Sequence, residues 1–332
     1  MRCGVGSGSA AVLAAALAVA INLGQRWERA LVIEPVDGVV LYAASSEDET
    51  STSNGATQRF DRLPNALAAS YSFTNFNRDR LNIDYSLGKA AYAAYEAGFG
   101  YYKKDVAEID AWNRNARDGA YKYAVKSHKS QAQLDAALAA LDREREQRVK
   151  AYMTSRGFRM LPRNVVTVDV PGVVKKNGPL LNSVAQAFER VSDRRHYDSE
   201  TLIGAATSLV QTALIYKIPP DIEADGRHTG GILQPATTLL KGWGDCDTKS
   251  ALLASLLSNW PQMRMVGVSV PGHYLMGVLR IPNQGDAFVE HEGLQYVLIE
   301  PAGPAWLPPG QVAQTTIPLL ESNDGFRIDP FF

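Results

Sequence analysis

Cysteine is almost absent from this chain. Two occur in 332 residues, Cys3 and Cys246, which excludes a fold stapled by several disulfides. A chain of this length buries a sizeable core without such staples. An excess of charge is lacking too. The formal net charge is −1, so nothing in the overall balance calls for a nucleic-acid partner. No Cys/His set has zinc spacing. Gly226 to Gly231 is glycine-rich but does not end in the Gly-Lys-Ser/Thr of a phosphate loop. The sequence therefore implies no metal and no cofactor. No internal repeat is visible, and no apolar run reaches the roughly 20 residues of a membrane span.

What is present is ordinary for a soluble globular protein, 45% hydrophobic and 21% charged. At about 100–200 residues per domain, two structured units plus linker are expected. Residues 1–24 carry a processing signal. Arg2 is followed by a small, apolar stretch at 10–23, with Ala18-Val19-Ala20 as a small-x-small site. This reads as a cleaved signal peptide. An uncleaved anchor through residues 10–23, or an Ala-rich buried helix of a cytosolic chain, remains open. The first two place the bulk of the protein in the periplasm or outside the cell, the second tied to the inner membrane. Cys246 would then be a lone thiol in an oxidising compartment, a liability unless it is buried or useful.

Residues 25–85 are poorly defined. Ala30 to Tyr42 holds short apolar runs that read as one or two strands, and Ser45 to Gln58 reads as a flexible polar loop. Residues 86–157 predict a helical hairpin. Tyr92, Tyr95, Phe99, Tyr102, Val106 and Ile109 fall on one helix face, a stripe better suited to core packing than to a sugar platform. A second helix spans Gln131 to Ser155, with Leu134, Leu138 and Leu141 inside and Asp142 to Glu146 as a solvated face, and Gly157 stops it. The hairpin offers a spacer, or a docking element for a protein partner. Val166, Val168 and Val170 alternate like a strand. Pro171 and Gly172 punctuate. Leu180 to Val191, capped by Asn182 or Ser183, and Ser199 to Tyr216 read as two helices.

The informative stretch is Gly242-Trp243-Gly244-Asp245-Cys246-Asp247-Thr248-Lys249, followed by an apolar helical run. It puts Cys246 at a helix N-terminus. The free N–H groups there stabilise negative charge on sulfur and on an oxyanion. A buried inert cysteine sits more often among apolar neighbours than between two aspartates. A thiol nucleophile needs a base. His273 opens a strand after Pro271-Gly272, next to the strand-like Val266 to Val270. The base needs an orienting acceptor. Tyr296 to Ile299 is an apolar strand ending in Glu300, an odd place for a carboxylate unless something pairs with it.

As an ordered set, Gly244-Asp245-Cys246-Asp247, Gly272-His273 and Leu298-Ile299-Glu300-Pro301 resemble the motifs of bacterial transglutaminase-like proteins, and Leu209 to Pro219 resembles the helix these place upstream. The resemblance covers roughly residues 180–312, within an expected domain at 163–320. It implies an α+β, papain-like fold, in which the helix bearing the cysteine packs on an antiparallel sheet. It also implies acylation of a thiol by an amide, then transfer to an amine or to water, with a protein or peptide as substrate. Glu300 stands where the family usually has Asp. Trp243 is a candidate wall of the site, and Gln211 and Gln234 are candidate oxyanion donors by analogy. Asp245 and Asp247 read as caps or helix-start charges. His228 reads as a surface residue, and His196 and His291 as solvated loop or strand-end residues. The rival reading is an inactive scaffold that keeps the fold, with the hairpin as its working surface.

Overall fold

A computed structural model describes residues 51–53, 55–321 and 325–331. The expected signal peptide or anchor at 1–24 and the strands between Ala30 and Tyr42 lie outside the described residues. The described residues from 51 to 85 are regular where their composition suggests a loop. They form an antiparallel meander of β1 (Ser51–Ser53), β2 (Ala56–Arg62), β3 (Ala66–Thr74) and β4 (Arg80–Gly88), in that order. The expected loop at Ser45–Gln58 is thus a hairpin over its described part. Alternation is the cause: Leu81, Ile83, Tyr85 and Leu87 are buried while the residues between them are exposed.

Three helices follow, α1 (Lys89–Ala97), α2 (Lys103–Lys126) and α3 (Gln131–Ser155). The stripe from Tyr92 to Ile109, expected on one helix, is split between α1 and α2. Gly100, at φ +81°, makes the break, and a Cβ there would strike the Arg227 side chain. Both halves still reach the same core through Tyr92, Phe99 and Ile109. The hairpin of α2 and α3 forms as expected, with Ser130 and Gln133 in a capping box. Its charge run is not only a solvated face. Asp142 pairs with Arg117 at 2.5 Å and Arg145 with Asp110 at 2.6 Å, tying α3 to α2.

Next come β5 (Phe158–Leu161) and β6 (Val165–Val168), paired antiparallel. Val170, expected in a strand, starts α4 (Val170–Asn177), with Pro171 in the first turn, where its missing N–H costs nothing. A 3₁₀ turn at Gly178–Leu181 leads into α5 (Asn182–Arg195), so neither Asn182 nor Ser183 caps it. The helix read to Tyr216 ends earlier. It is α6 (Ser199–Ser208), a π turn at Leu209–Ala213 and then β7 (Ile215–Tyr216). After α7 (Pro235–Lys241) comes β8 (Trp243–Gly244), parallel to β7, and then α8 (Cys246–Leu257).

The last elements are β9 (Met265–Val270), β10 (His273–Leu279), β11 (Phe288–His291), β12 (Leu294–Ile299), α9 (Ile317–Leu320) and β13 (Arg327–Pro330). The five strands form a curled antiparallel sheet, ordered β11-β12-β10-β9-β13. The sheet therefore extends past residue 320. α8 is buried from Thr248 to Leu257, as befits a helix apolar on nearly every side. It packs on the sheet face carrying Tyr274, Met276, Val278 and Ile299, in one cluster with the meander and the helices. Val266, Val268, Leu275 and Leu298 fill a second cluster on the other face. The architecture is mixed α+β, and the hairpin shares a core with the rest.

Candidate active site

Cys246 is the first residue of α8 and its half-buried thiol is free. Asp245 caps the helix, its carboxylate accepting from Thr248 N at 3.4 Å, and Asp247 accepts from the same N–H at 2.8 Å. Both aspartates act at the helix start, as expected. His273 opens β10 after the turn at Gly272, which sits at φ +71°. Glu300 follows the last residue of β12. In the β10–β12 ladder Met276 pairs with Ile299. His273 and Glu300 therefore lie at the same end of adjacent strands and on the same face.

The pair is made. His273 Nε2 lies 2.9 Å from Glu300 Oε1 and 3.0 Å from Oε2. Glu300 is 3% exposed, and a carboxylate so buried needs partners. Thr316 Oγ1 donates to its Oε2 at 3.1 Å, and Gln211 Nε2 donates to its backbone oxygen at 2.6 Å. Burial opposes charge on His273. Hydrogen bonding and negative charge from Cys246 and Glu300 outweigh it and raise the imidazole to about 10. With Nε2 at the carboxylate, Nδ1 is the nitrogen left for the thiol. At neutral pH the ring is an imidazolium between two acids, a state suited to accompany a thiolate.

Neither a family model, nor a curated protein, nor a solved structure matches this chain.

Gln211 is not placed as an oxyanion donor. Its amide N–H groups serve Glu300 O and, at 3.2 Å, Leu307 O, while its Oε1 accepts from Leu307 N at 2.8 Å. It holds the loop after β12 instead. Gln234 turns toward α1, with Nε2 3.5 Å from Tyr95 O. Trp243 is half-buried on β8, three residues before the thiol, with Lys217 Nζ 4.6 Å and Lys241 Nζ 5.7 Å from its ring centre. His228 is not a plain surface residue. It stacks on Tyr101 at 4.8 Å and lines a cavity of about 470 Å³ that also touches Asp247, Phe158 and Tyr274. His196 is exposed, as expected. Among the described residues no cluster of His, Cys, Asp or Glu could hold a metal, and no helix is long and apolar enough to cross a membrane.

Several neighbours were not legible. Tyr216 pairs with Gly244, two residues before the thiol, and its hydroxyl is raised first by burial and then by the neighbouring acidic groups of the site. Burial and the Asp245 carboxyl raise Asp247 far above the usual carboxylate range. Gln58 of β2, fully enclosed, donates to Ala213 O and to Gly242 O, so the meander braces the backbone just ahead of β7 and of β8.

Lys249 lies one turn into α8, fully buried, with Nζ 2.8 Å from Leu214 O. Burial lowers it to about 7, against the opposite pull of Asp245. The folded protein then binds fewer protons than the unfolded one between about pH 7 and the ordinary 10.5, so this residue makes stability rise with pH there. His273 acts in the other sense. Its contribution is full below the ordinary 6.5 and is lost as pH rises through about 10. Lys249→Met is therefore expected to leave a stability that falls more steeply from pH 7 to 10 than that of the native chain. Urea unfolding at several pH values reads the slope, and an unchanged slope would show that Lys249 is not held neutral.

Proposed function

We propose that the protein is a thiol enzyme acting on amide bonds of a protein or peptide substrate, as a cysteine peptidase, amidase or transglutaminase-type acyl transferase. The observation that carries this is the two-oxygen grip of Glu300 on His273 Nε2, with the first residue of α8 as the group acting on the same imidazole. The motif resemblance over residues 180–312 supports a papain-like, transglutaminase-like core, and so does a buried helix that starts at a cysteine and packs on an antiparallel sheet. The start of the chain favours an extracytoplasmic enzyme, periplasmic or secreted, with residues 10–23 as an alternative inner-membrane anchor.

In this reading the Cys246 thiolate attacks the amide carbon. An S–C bond forms, and the carbonyl π electrons move to oxygen, where first-turn N–H groups of α8 stabilise them. The imidazolium of His273 gives its proton to the leaving nitrogen as the C–N bond breaks. A thioester remains. Water or an amine then loses a proton to His273 and attacks the thioester, releasing the thiolate. Glu300 keeps the ring oriented and stabilises its charge throughout.

The test is intact-mass spectrometry of the native chain and of Cys246→Ala with a glutamine-containing peptide and, separately, hydroxylamine as acceptor. The native chain should show a covalent adduct of the acyl group at Cys246, cleared by hydroxylamine as the hydroxamate. Turnover by Cys246→Ala at the native rate would remove the thiol from the mechanism.

A further inference from the structure

The surface beside the thiol carries a feature that the acyl-transfer reading does not use. Two ammonium groups, of Lys217 and Lys241, converge on the single ring of Trp243. Lys217 follows β7 directly and Lys241 ends α7. The parallel pairing of Ile215 with Trp243 and of Tyr216 with Gly244 brings them together, closed by Lys217 N to Gly244 O at 3.1 Å. An indole face attracts each cation, and the two together leave an excess of positive charge beside the ring. Among the described residues no ion pair involves either lysine. The carboxylates closest to the thiol are engaged elsewhere, Asp247 with Thr248 N. Glu300 is bound to His273 and Thr316, and Asp245 is 8% exposed and caps α8. Ile215, which pairs with Trp243, is 42% exposed, and along the same segment Tyr216 is 42% and Ile218 69% exposed.

From these observations we infer that Trp243, Lys217 and Lys241 form a subsite for the carboxylate of an Asp or Glu side chain on an extended peptide, so that the enzyme selects acidic segments next to the bond it attacks. A carboxylate at the edge of the ring is attracted by both ammonium groups, whose positive charge no acidic side chain offsets. Apolar residues of the same peptide cover Ile215, Tyr216 and Ile218. The inference rests on the reading of Cys246 as nucleophile only for its role in substrate choice; binding of the acidic segment stands without it. Both lysines are solvent-facing. Two exposed ion pairs of ordinary strength give a preference of about tenfold at low salt, screened as ionic strength rises.

The experiment measures fluorescence anisotropy with the full chain carrying Cys246→Ala, so that nothing is turned over. The probes are fluorescein-labelled Glu-Glu-Leu-Gln-Gly and its isosteric partner Gln-Gln-Leu-Gln-Gly, and the matching pair with the two residues after the reactive glutamine. One acidic peptide should bind about tenfold more tightly than its amide partner in 50 mM salt. The difference should shrink in 0.5 M salt. It should vanish when Lys217→Ala and Lys241→Ala are added. Equal binding of acid and amide peptides, no binding of any, or a preference that survives loss of both lysines overturns the subsite. Acylation of native Cys246 by the amide peptide is scored in parallel. A lysine-dependent acid preference without acylation removes the nucleophile and keeps the subsite, while acylation without the preference does the reverse.

Discussion

Glu300→Ala is expected to slow acylation of Cys246 by about 10²- to 10⁴-fold, the range seen when a catalytic imidazole loses its orienting acid. The size follows from what the side chain holds. Both carboxylate oxygens lie within 3.0 Å of His273 Nε2, and one also takes the Thr316 hydroxyl. Without them the ring is free to turn, and one of the two groups that keep it protonated is gone. The alanine also leaves the buried Thr316 hydroxyl unpaired and the imidazole with only the thiol beside it, a loss of about 3 kcal/mol. Glu300→Gln separates the two effects. It keeps the volume and an acceptor but not the charge, so it should fold nearly as well and lose activity first on the alkaline side, where the imidazole deprotonates early. Single-turnover acylation with urea unfolding of the same proteins reads both. A Glu300→Ala enzyme within a few-fold of the native rate would mean that Glu300 is only a structural partner.

Gln211→Leu is expected to cost about 4 kcal/mol of stability and a large part of the activity. Leucine fits the volume but returns none of the three hydrogen bonds that the amide makes with Glu300 O, Leu307 O and Leu307 N. Each buried backbone group left unpaired costs about 1–3 kcal/mol. The loop after β12 also packs closely here, since a Cβ on Gly303 would collide with the backbone of Gln211. Loosening it moves the backbone of Glu300 and hence the carboxylate that holds His273. An oxyanion donor would behave differently, with kcat falling and stability unchanged. Urea unfolding and kcat on one preparation therefore separate the two roles.

The site was more legible than the fold around it. Gly244 and Asp245 ahead of an apolar helical run mark a cap, which puts Cys246 at position one of α8. A polar residue at the start of one apolar strand and an acid at the end of another mark His273 and Glu300. Those signals are local, and so is the capping pair Ser130 and Gln133 that fixes the start of α3. What failed to show depends on distant partners. Gln211 meets Glu300 across 89 residues, and Gln58 reaches Gly242 across 184. No periodicity records such contacts. The meander had a local signal, the alternation of Leu81, Ile83, Tyr85 and Leu87, but the Asn, Asp and Ser between them resemble a loop composition. The stripe from Tyr92 to Ile109 kept helical spacing across a break because both helices face the same core.

The most direct measurement of the central claim is the rate of Cys246 alkylation by iodoacetamide against pH, for the native chain and for His273→Ala. With His273 protonated to about 10, a thiolate–imidazolium pair should react fast already near pH 6. An ordinary thiol, at about 8.5, is then roughly 0.3% thiolate. The gain in thiolate is partly offset by its lower intrinsic nucleophilicity, so a net difference of about 10- to 100-fold is expected between the two proteins at pH 6. His273→Ala should recover reactivity only above pH 8. Equal profiles for the two proteins, or a native thiol that stays silent while folded, would contradict a Cys246–His273–Glu300 nucleophile.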